Sequence, residues 1–241
     1  MKLIMIFNES YNSNKRLLPR DIRNYLGSIT KENKDLNQIV MWHERKQPTF
    51  IYSMPNPKSA AVYSFKNDDM TIFAMEALKQ LIEKNPQLYI NDQVLNIKEV
   101  FISNYDYSPM KSGLYERRLR TPLVIACGDY EYARARNLSS GDKLDIKELE
   151  NMTREIIIES VRFQTRDWFD TEIDISNALI KFKDLEYTPI KYKEDTKEYY
   201  AAVRGTIISN IELPQFLGYK CGLGYGELST LKEMDRRRKV K

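Results

Sequence analysis

The chain has 241 residues, 42% of them hydrophobic and 30% charged. That is enough apolar material for one large domain or two small ones, and too much for a disordered chain. The net charge of +4 is mild, and the two cysteines, Cys127 and Cys221, lie too far apart for a disulfide framework or a zinc knuckle. A reducing cytoplasm is therefore the default, and with no apolar run near the ~20 residues of a bilayer span, no membrane association is expected.

In chain order, MKLIMIF reads as a first strand and is too short for a signal peptide. In LLPRDIRNYLGSIT, Leu18, Ile22, Leu26 and Ile29 recur at helical spacing, with Arg16, Arg20 and Arg23 on another face. Pro19 suits a first turn, and Gly27 is expected to weaken or end the helix. TFIYSMP and AAVYSFK are short strand-like runs parted by a turn rich in Pro, Asn and Ser. MTIFAMEALKQLIEKN is an amphipathic helix through Ile72, Met75, Leu78 and Leu81, stopped by Asn85-Pro86. QVLNIKEVFI closes this half as a strand. The order strand, helix, strand, strand, helix, strand is the ferredoxin-like pattern, assigned to residues 1–102.

Residues 103–241 form the second half. GLYERRLRTPLVIA reads as extended, DYEYARARN as a short helix, and DIKELENMTREIIIESVRF as a long helix with its core through Leu149, Met152, Ile156 and Ser160. The trailing RFQTRDW leaves Arg162 and Arg166 as a basic patch or a solvated helix end. ALIKFKDLEYTPIKY and EYYAAVRGTIISN alternate like paired strands, LPQFLGY reads as a short helical turn, and the glycine-rich GYKCGLGYGEL follows. The halves share an α+β element order without a sequence repeat.

Charge is unevenly spread. Basic residues cluster at Lys15, Arg16, Arg20 and Arg23, at Arg117, Arg118 and Arg120, and at Arg236, Arg237, Arg238, Lys239 and Lys241, among 16 tyrosines. Basic clusters interleaved with aromatics suit phosphate contact and base stacking. The tail itself reads as disorder.

Two stretches bear on chemistry. VMWHERKQPTFIYSMP holds the single histidine, His43, followed by Arg45 and Lys46 and then by Phe50 and Tyr52. An unperturbed imidazole titrates near pH ~6.5, so His43 suits general acid or base work at neutral pH. A lone histidine equally fits a surface or structural place. One histidine and no cysteine cluster leave only carboxylates as metal ligands, so neither metal nor cofactor is expected. GYKCGLGYGEL holds Gly218, Gly222, Gly224 and Gly226 around Lys220. Such a loop can bring phosphates close to backbone amides, or can simply be a tight turn before a last strand.

Three stretches, in order along the chain, carry a resemblance. LLPRDIRNYLGSI with the histidine loop and FIYSMP resembles the opening of the b-type branch of the sixth Cas family, the CRISPR repeat-processing endoribonucleases. RTPLVIACGDYEYARA is similar to that branch's Thr-Pro strand and tyrosine-rich helix. NIELPQFLGYKCGLGYGEL resembles its closing segment. The loop here is compressed and carries a single lysine, and no tryptophan follows the Thr-Pro proline, which marks a divergent member.

The resemblance implies tandem ferredoxin-like, RRM-like domains that cut precursor RNA within each repeat without metal. The ribose 2′-OH attacks the adjacent phosphate, leaving a 2′,3′-cyclic phosphate and a 5′-OH end. His43 carries over as the acid/base group and Tyr52 as its hydrogen-bonding partner. Lys46 or Arg45, from sequence proximity, would stabilise phosphorane charge. Arg16, Arg20, Arg23, Arg45, Arg117, Arg118, Arg120, Arg162 and Arg166, with Gly218, Lys220, Gly222, Gly224 and Gly226, are the expected RNA contacts. Repeat RNA or its crRNA product is the expected partner. CRISPR effector-complex subunits and a second copy of the chain are further partners such a protein allows. The competing readings are a non-cleaving RRM-like repeat-RNA-binding subunit of an effector complex, and a structural α+β protein whose basic surface meets other proteins.

Overall fold

The computed structural model describes residues 1–11, 19–41, 49–64, 66, 68–90, 93–104, 112–126, 145–170, 172–191 and 199–229. The chain divides into two compact units, Met1–Asp106 with Gly222–Gly224, and Tyr107–Cys221 with Tyr225–Lys241. Each is described by itself.

In the first unit, β1 (Lys2–Phe7) alternates so that Leu3, Met5 and Phe7 are buried. Helices α1 (Pro19–Ile29) and α2 (Lys34–Val40) follow. Then come the hairpin β2 (Ile51–Asn56) and β3 (Ser59–Tyr63), α3 (Asp69–Lys84), β4 (Gln87–Ile90) and β5 (Gln93–Ser103). The sheet order is β2-β3-β1-β5-β4, with every pairing antiparallel. Removing β4 leaves the ferredoxin-like order, and β4 is an added edge strand folded back on β5. Ile22 and Leu26 of α1 and Met75, Leu78 and Ile82 of α3 pack with Leu3, Met5 and Phe7 in one core.

Three expectations change here. Gly27 does not stop α1, which runs on to Ile29. Its missing side chain instead admits Met41, whose Sδ lies 2.6 Å from where a Cβ would stand. The buried face of α3 is Thr71, Ala74, Met75, Leu78 and Ile82, so Ile72, taken as core, is exposed. The i, i+3, i+4, i+7 stripe is anchored one residue earlier than the apolar count places it. Finally α2 is additional: seven residues started by Asn33, whose side chain accepts from the Leu36 amide.

The second unit opens with β6 (Ser112–Arg118) and β7 (Leu123–Ala126). The long α4 (Ile146–Phe169) is capped by Asp145, which accepts from the Lys147 and Glu148 amides. β8 (Ile180–Tyr187), the two-residue β9 (Ile190–Lys191) and the long β10 (Tyr199–Ile211) complete the strands. β10 is the axis, pairing antiparallel with β6, β7, β8 and β9. The closing segment, 212–229, makes single bridges from Tyr219 to Val124 and from Leu228 to Leu119. It thus takes the place of a fourth strand beside β6 and β7, in a second ferredoxin-like arrangement.

LPQFLGY is not a helical turn. Phe216 and Tyr219 lie in single strand bridges, and the helical turn is the 3-10 turn Cys221–Leu223 after them. The core of this unit joins Leu149, Ile157 and Val161 of α4 to Val203, Ile207 and Ile211 of β10. α4 continues past the expected end because Ser160, Gln164 and Thr165 are buried with partners. The Ser160 Oγ accepts from the Gly218 amide at 2.8 Å, and Gln164 Nε2 donates to the Phe216 carbonyl at 2.8 Å. No helix is long and apolar enough to cross a membrane among the described residues.

Candidate active site and nucleic-acid interface

His43, Arg45, Lys46 and Arg16 lie outside the described residues, as do Cys127, the DYEYARARN segment and the basic tail. What is described is the frame that holds the histidine loop. Before it stands the end of α2, and after it Phe50 and Ile51, both buried.

Tyr52 is 1% exposed. Its hydroxyl donates to the Val40 carbonyl at 2.8 Å, and burial pushes its ionisation far above the usual phenol range. Such a phenol does not give up its proton near neutral pH. The hydrogen-bonding role expected of Tyr52 is therefore taken up, in this structure, by a backbone carbonyl at the entry to the histidine loop.

Arg23 is also buried, at 7% exposed, like Ile22 and Leu26 of the same helix. Its Nη2 donates to the Met41 carbonyl at 2.9 Å, and its Nε to the Val40 carbonyl at 3.5 Å. Desolvation lowers its pKa, with Tyr52 opposing the shift, yet a guanidinium keeps its charge. The last carbonyls of α2, which have no partner within the helix, are thus bound by two side chains.

The remaining arginines divide between inside and outside. Arg117 is buried, donating from Nη2 to Gln215 Oε1 at 3.0 Å and from Nε to the Ser229 carbonyl. Arg120 pairs with Glu227 at 3.3 Å, where the carboxylate side chain is 3% exposed. Arg23, Arg117 and Arg120 are each engaged in holding backbone or a buried acid. Arg20, Arg118, Arg162 and Arg166 reach solvent. Arg166 lies 4.8 Å over the Phe163 ring and bonds Asp167 at 3.0 Å.

Arg118 has a neighbour that sequence order hides. Thr206 of β10 pairs with Arg118 on one side and with Lys183 of β8 on the other. Successive side chains alternate faces, and Val203 and Ile207 point to the core, so Thr206 shares the outer face with these two cations. Lys183 and Lys181 were missed because a period of two in "IKFKD" spreads cations along a strand instead of clustering them.

The glycine-rich segment is largely committed to the fold. The Gly218 amide donates to Ser160 Oγ, and the Gly226 amide to the Pro122 carbonyl at 2.9 Å. These two amides are therefore engaged within the fold. Gly226 has φ +71, and a Cβ there would fall 1.8 Å from the Leu217 carbonyl oxygen. Gly222–Gly224 group with the first unit, where Gly224 sits against Pro19 and the Tyr52 carbonyl. Lys220 is exposed, has φ +60, and holds its Nζ 5.6 Å from the centre of the Tyr200 ring. Among the described residues, no three His, Cys, Asp or Glu side chains gather as metal ligands.

No family model and no curated protein matches the chain. Solved structures do. One described as Cas6b is 18% identical, with 96% of this chain and 100% of that one covered at a TM-score of 0.67. A CRISPR RNA processing endoribonuclease Cas6b is 17% identical over 95% and 98% of the two chains, at 0.52. A Cas6-related protein from Pyrococcus furiosus is 14% identical over 97% and 99%, at 0.61. The likeness is one of fold. Both units, in their order and nearly their full length, follow the tandem ferredoxin-like architecture of these structures.

Proposed function

We propose that the chain is a CRISPR repeat-processing endoribonuclease of the sixth Cas family, in its b-type branch. The observation that carries this reading is the near-full-length fold match to a structure described as Cas6b. It joins three sequence stretches that resemble the same branch in the same order. A second structure of similar fold is described as a CRISPR RNA processing endoribonuclease.

The reaction is in-line attack by the ribose 2′-OH on the neighbouring phosphate. A base takes the 2′-OH proton, an acid protonates the departing 5′-oxygen, and a cation stabilises the phosphorane. His43 is the acid/base group, and Lys46 or Arg45 is the cation. No step requires a metal. Tyr52 has its donor on Val40, so its contribution is to hold the chain leading into the loop rather than to touch substrate.

The test is cleavage of labelled repeat RNA in EDTA by wild type and by His43→Ala. Wild type is expected to cut at one site and leave a 2′,3′-cyclic phosphate. The variant should cut about 10²- to 10⁴-fold more slowly while binding RNA as tightly. Equal cutting by both proteins would remove His43 from the chemistry. Tight binding with no cutting by either would make the chain an RNA-holding subunit.

A further inference from the structure

The two edges of the first sheet are finished differently. An edge strand leaves a row of main-chain donors and acceptors unmatched, and proteins guard such rows with proline, charge or bulges. At one edge, β2 carries Pro55 and a register shift between Ser53 and Asn56. At the other, β4 reads Gln-Leu-Tyr-Ile, with no charge, no proline and no break in its register with β5. Its pairing fixes which groups it leaves unmatched. The Ile97 amide donates to the Pro86 carbonyl at 2.7 Å, so Pro86, Leu88 and Ile90 turn their main-chain groups toward β5. In an antiparallel ladder the residues between them turn theirs the other way. Asn96, opposite Gln87, follows the same alternation, because its carbonyl accepts from the Asn8 amide of the first-strand side. The amides and carbonyls of Gln87 and Tyr89 therefore line the open edge as a row of alternating donors and acceptors.

The edge opens onto a groove. A cavity of about 660 Å³ lies between β4 and α1, lined by Gln87, Tyr89 and Ile90 on one side and by Asn24, Tyr25 and Ser28 on the other. That volume is in the range of ligand sites. Tyr89 is 70% exposed, and it is paired across the hairpin with Val94, itself 44% exposed. The Tyr89 hydroxyl donates to Gln87 Oε1 at 2.6 Å, which ties the ring along the strand. Charge separates the classes of occupant. Among the described residues, the lining holds one cation, Lys84, and one anion, Asp21. A nucleic acid needs an excess of cations and finds none there, whereas main-chain pairing needs no net charge. A second copy of this chain pairing through β4 would set four residues against four. That does not approach the ~1,600 Å² of a stable interface.

We propose that the open edge of β4 is a docking site at which an extended segment of a partner protein adds as a further strand. The segment makes main-chain hydrogen bonds to Gln87 and Tyr89 and sets an aromatic or β-branched residue beside the Tyr89 ring, the pairing that stabilises neighbouring strands. Its alternate side chains turn toward the groove beside α1, and the stretch that pairs carries little charge. The site lies within the first unit and uses none of the residues assigned to RNA cleavage.

The probe is a short labelled peptide of alternating threonine and valine with one central tyrosine. The readouts on the full chain are amide hydrogen exchange and peptide affinity by fluorescence anisotropy. In the protein without peptide, the Gln87 and Tyr89 amides should exchange fast and those of Leu88 and Ile90 slowly. Saturating peptide should slow the Gln87 and Tyr89 amides by about tenfold or more. Tyr89→Pro removes an edge donor that β5 does not use, and should weaken peptide binding about tenfold or more. Tyr89→Ala keeps the main chain and should weaken it by no more than about fivefold. If Tyr89→Pro does not fold, exchange in the wild-type chain still decides. Slow Gln87 and Tyr89 amides before peptide is added would overturn the proposal, because the edge would already be filled. No binding at about 1 mM peptide would overturn it too, as would binding that leaves both amides fast. Protection of the same amides by oligouridine would make the edge an RNA contact, and a concentration-dependent dimer lost in Tyr89→Pro would give it to a second copy. Either result would overturn the partner segment. None of these readouts involves RNA cleavage, so this proposal and the enzyme reading fail separately.

Discussion

Arginines with the same sequence signature meet different fates in this chain. Arg117 and Arg118 are adjacent, yet the first is buried against Gln215 and Ser229 while the second faces solvent beside Lys183 across Thr206. Local sequence marks both as part of a basic cluster. It does not reveal that the partners of Arg117 arrive about a hundred residues later. RNA affinity weakens with salt in proportion to the number of phosphates neutralised, with a slope of about 0.7 per contact on single strands. If RNA lies on the outer face of β10, replacing Arg118 and Lys183 with Gln should reduce the slope of log K against log salt by about 1.4. Arg117→Gln should leave that slope unchanged and instead lower stability, because it strips a charged donor from buried acceptors. Fluorescence anisotropy across a KCl series checks the first, and urea unfolding the second. An unchanged slope in the Arg118/Lys183 variant would take RNA off this face.

At the scale of elements, hydrophobic periodicity located the long pieces and failed where polar groups are buried. β1, α1, α3, β5 and β10 are legible as elements from their apolar spacing, although in α3 that spacing places the buried face one residue late. α4 is legible only as far as Arg162 and Phe163, since Gln164 looks like part of a solvated end until its partner in the closing segment, the Phe216 carbonyl, is known. α2 and β4 are too short for a periodic signal. The glycines were legible as a tight turn or a phosphate loop, and the amides of Gly218 and Gly226 are hydrogen-bonded within the fold. At Gly226, φ is +71 and the Leu217 amide donates to its carbonyl at 3.0 Å. Gly226→Ala should therefore destabilise the protein by about 2–3 kcal/mol. Gly113 on β6 is the comparison, because a Cβ there meets only the side chain of Tyr115, no closer than 3.1 Å. Gly113→Ala should stay within about 0.5 kcal/mol. Urea midpoints at constant m-value measure both. Equal midpoints for the two variants would mean that the closing turn tolerates a side chain where the backbone leaves no room for one.

Across the whole molecule, the same α+β plan occurs twice and is completed in two ways. The first unit has the full set of strands and adds an edge strand. The second reduces its last strand to single bridges, and in place of a second helix it uses a segment held by polar side chains of α4 and by Arg117 and Arg120. Element order in the sequence discloses the plan, but the substitution is invisible there because a bridge of one residue leaves no alternating pattern. The histidine loop could be singled out from sequence, whereas the binding of the Val40 and Met41 carbonyls by Tyr52 and Arg23 could not, since carbonyl partners carry no side-chain signature.

Each unit has its own apolar core, and a unit of about 100 residues depends heavily on it. The chain has two tryptophans, Trp42 and Trp168, and Trp168 lies on α4, where it is 6% exposed. In a Trp42→Phe background, emission from Trp168 therefore reports the second unit. Ile157 is fully buried at the centre of that core, and Ile157→Ala should cost about 2–5 kcal/mol through lost transfer energy and the cavity left behind. Glu155→Ala, two residues earlier on the exposed face of the same helix, should stay within about 0.5 kcal/mol. A large drop in the Trp168 midpoint for Ile157→Ala alone would place the stability of the second unit in its α4–β10 core. Equal midpoints for the two variants would shift that stability to the polar ties of the closing segment, and Arg117→Gln would then be the more damaging change.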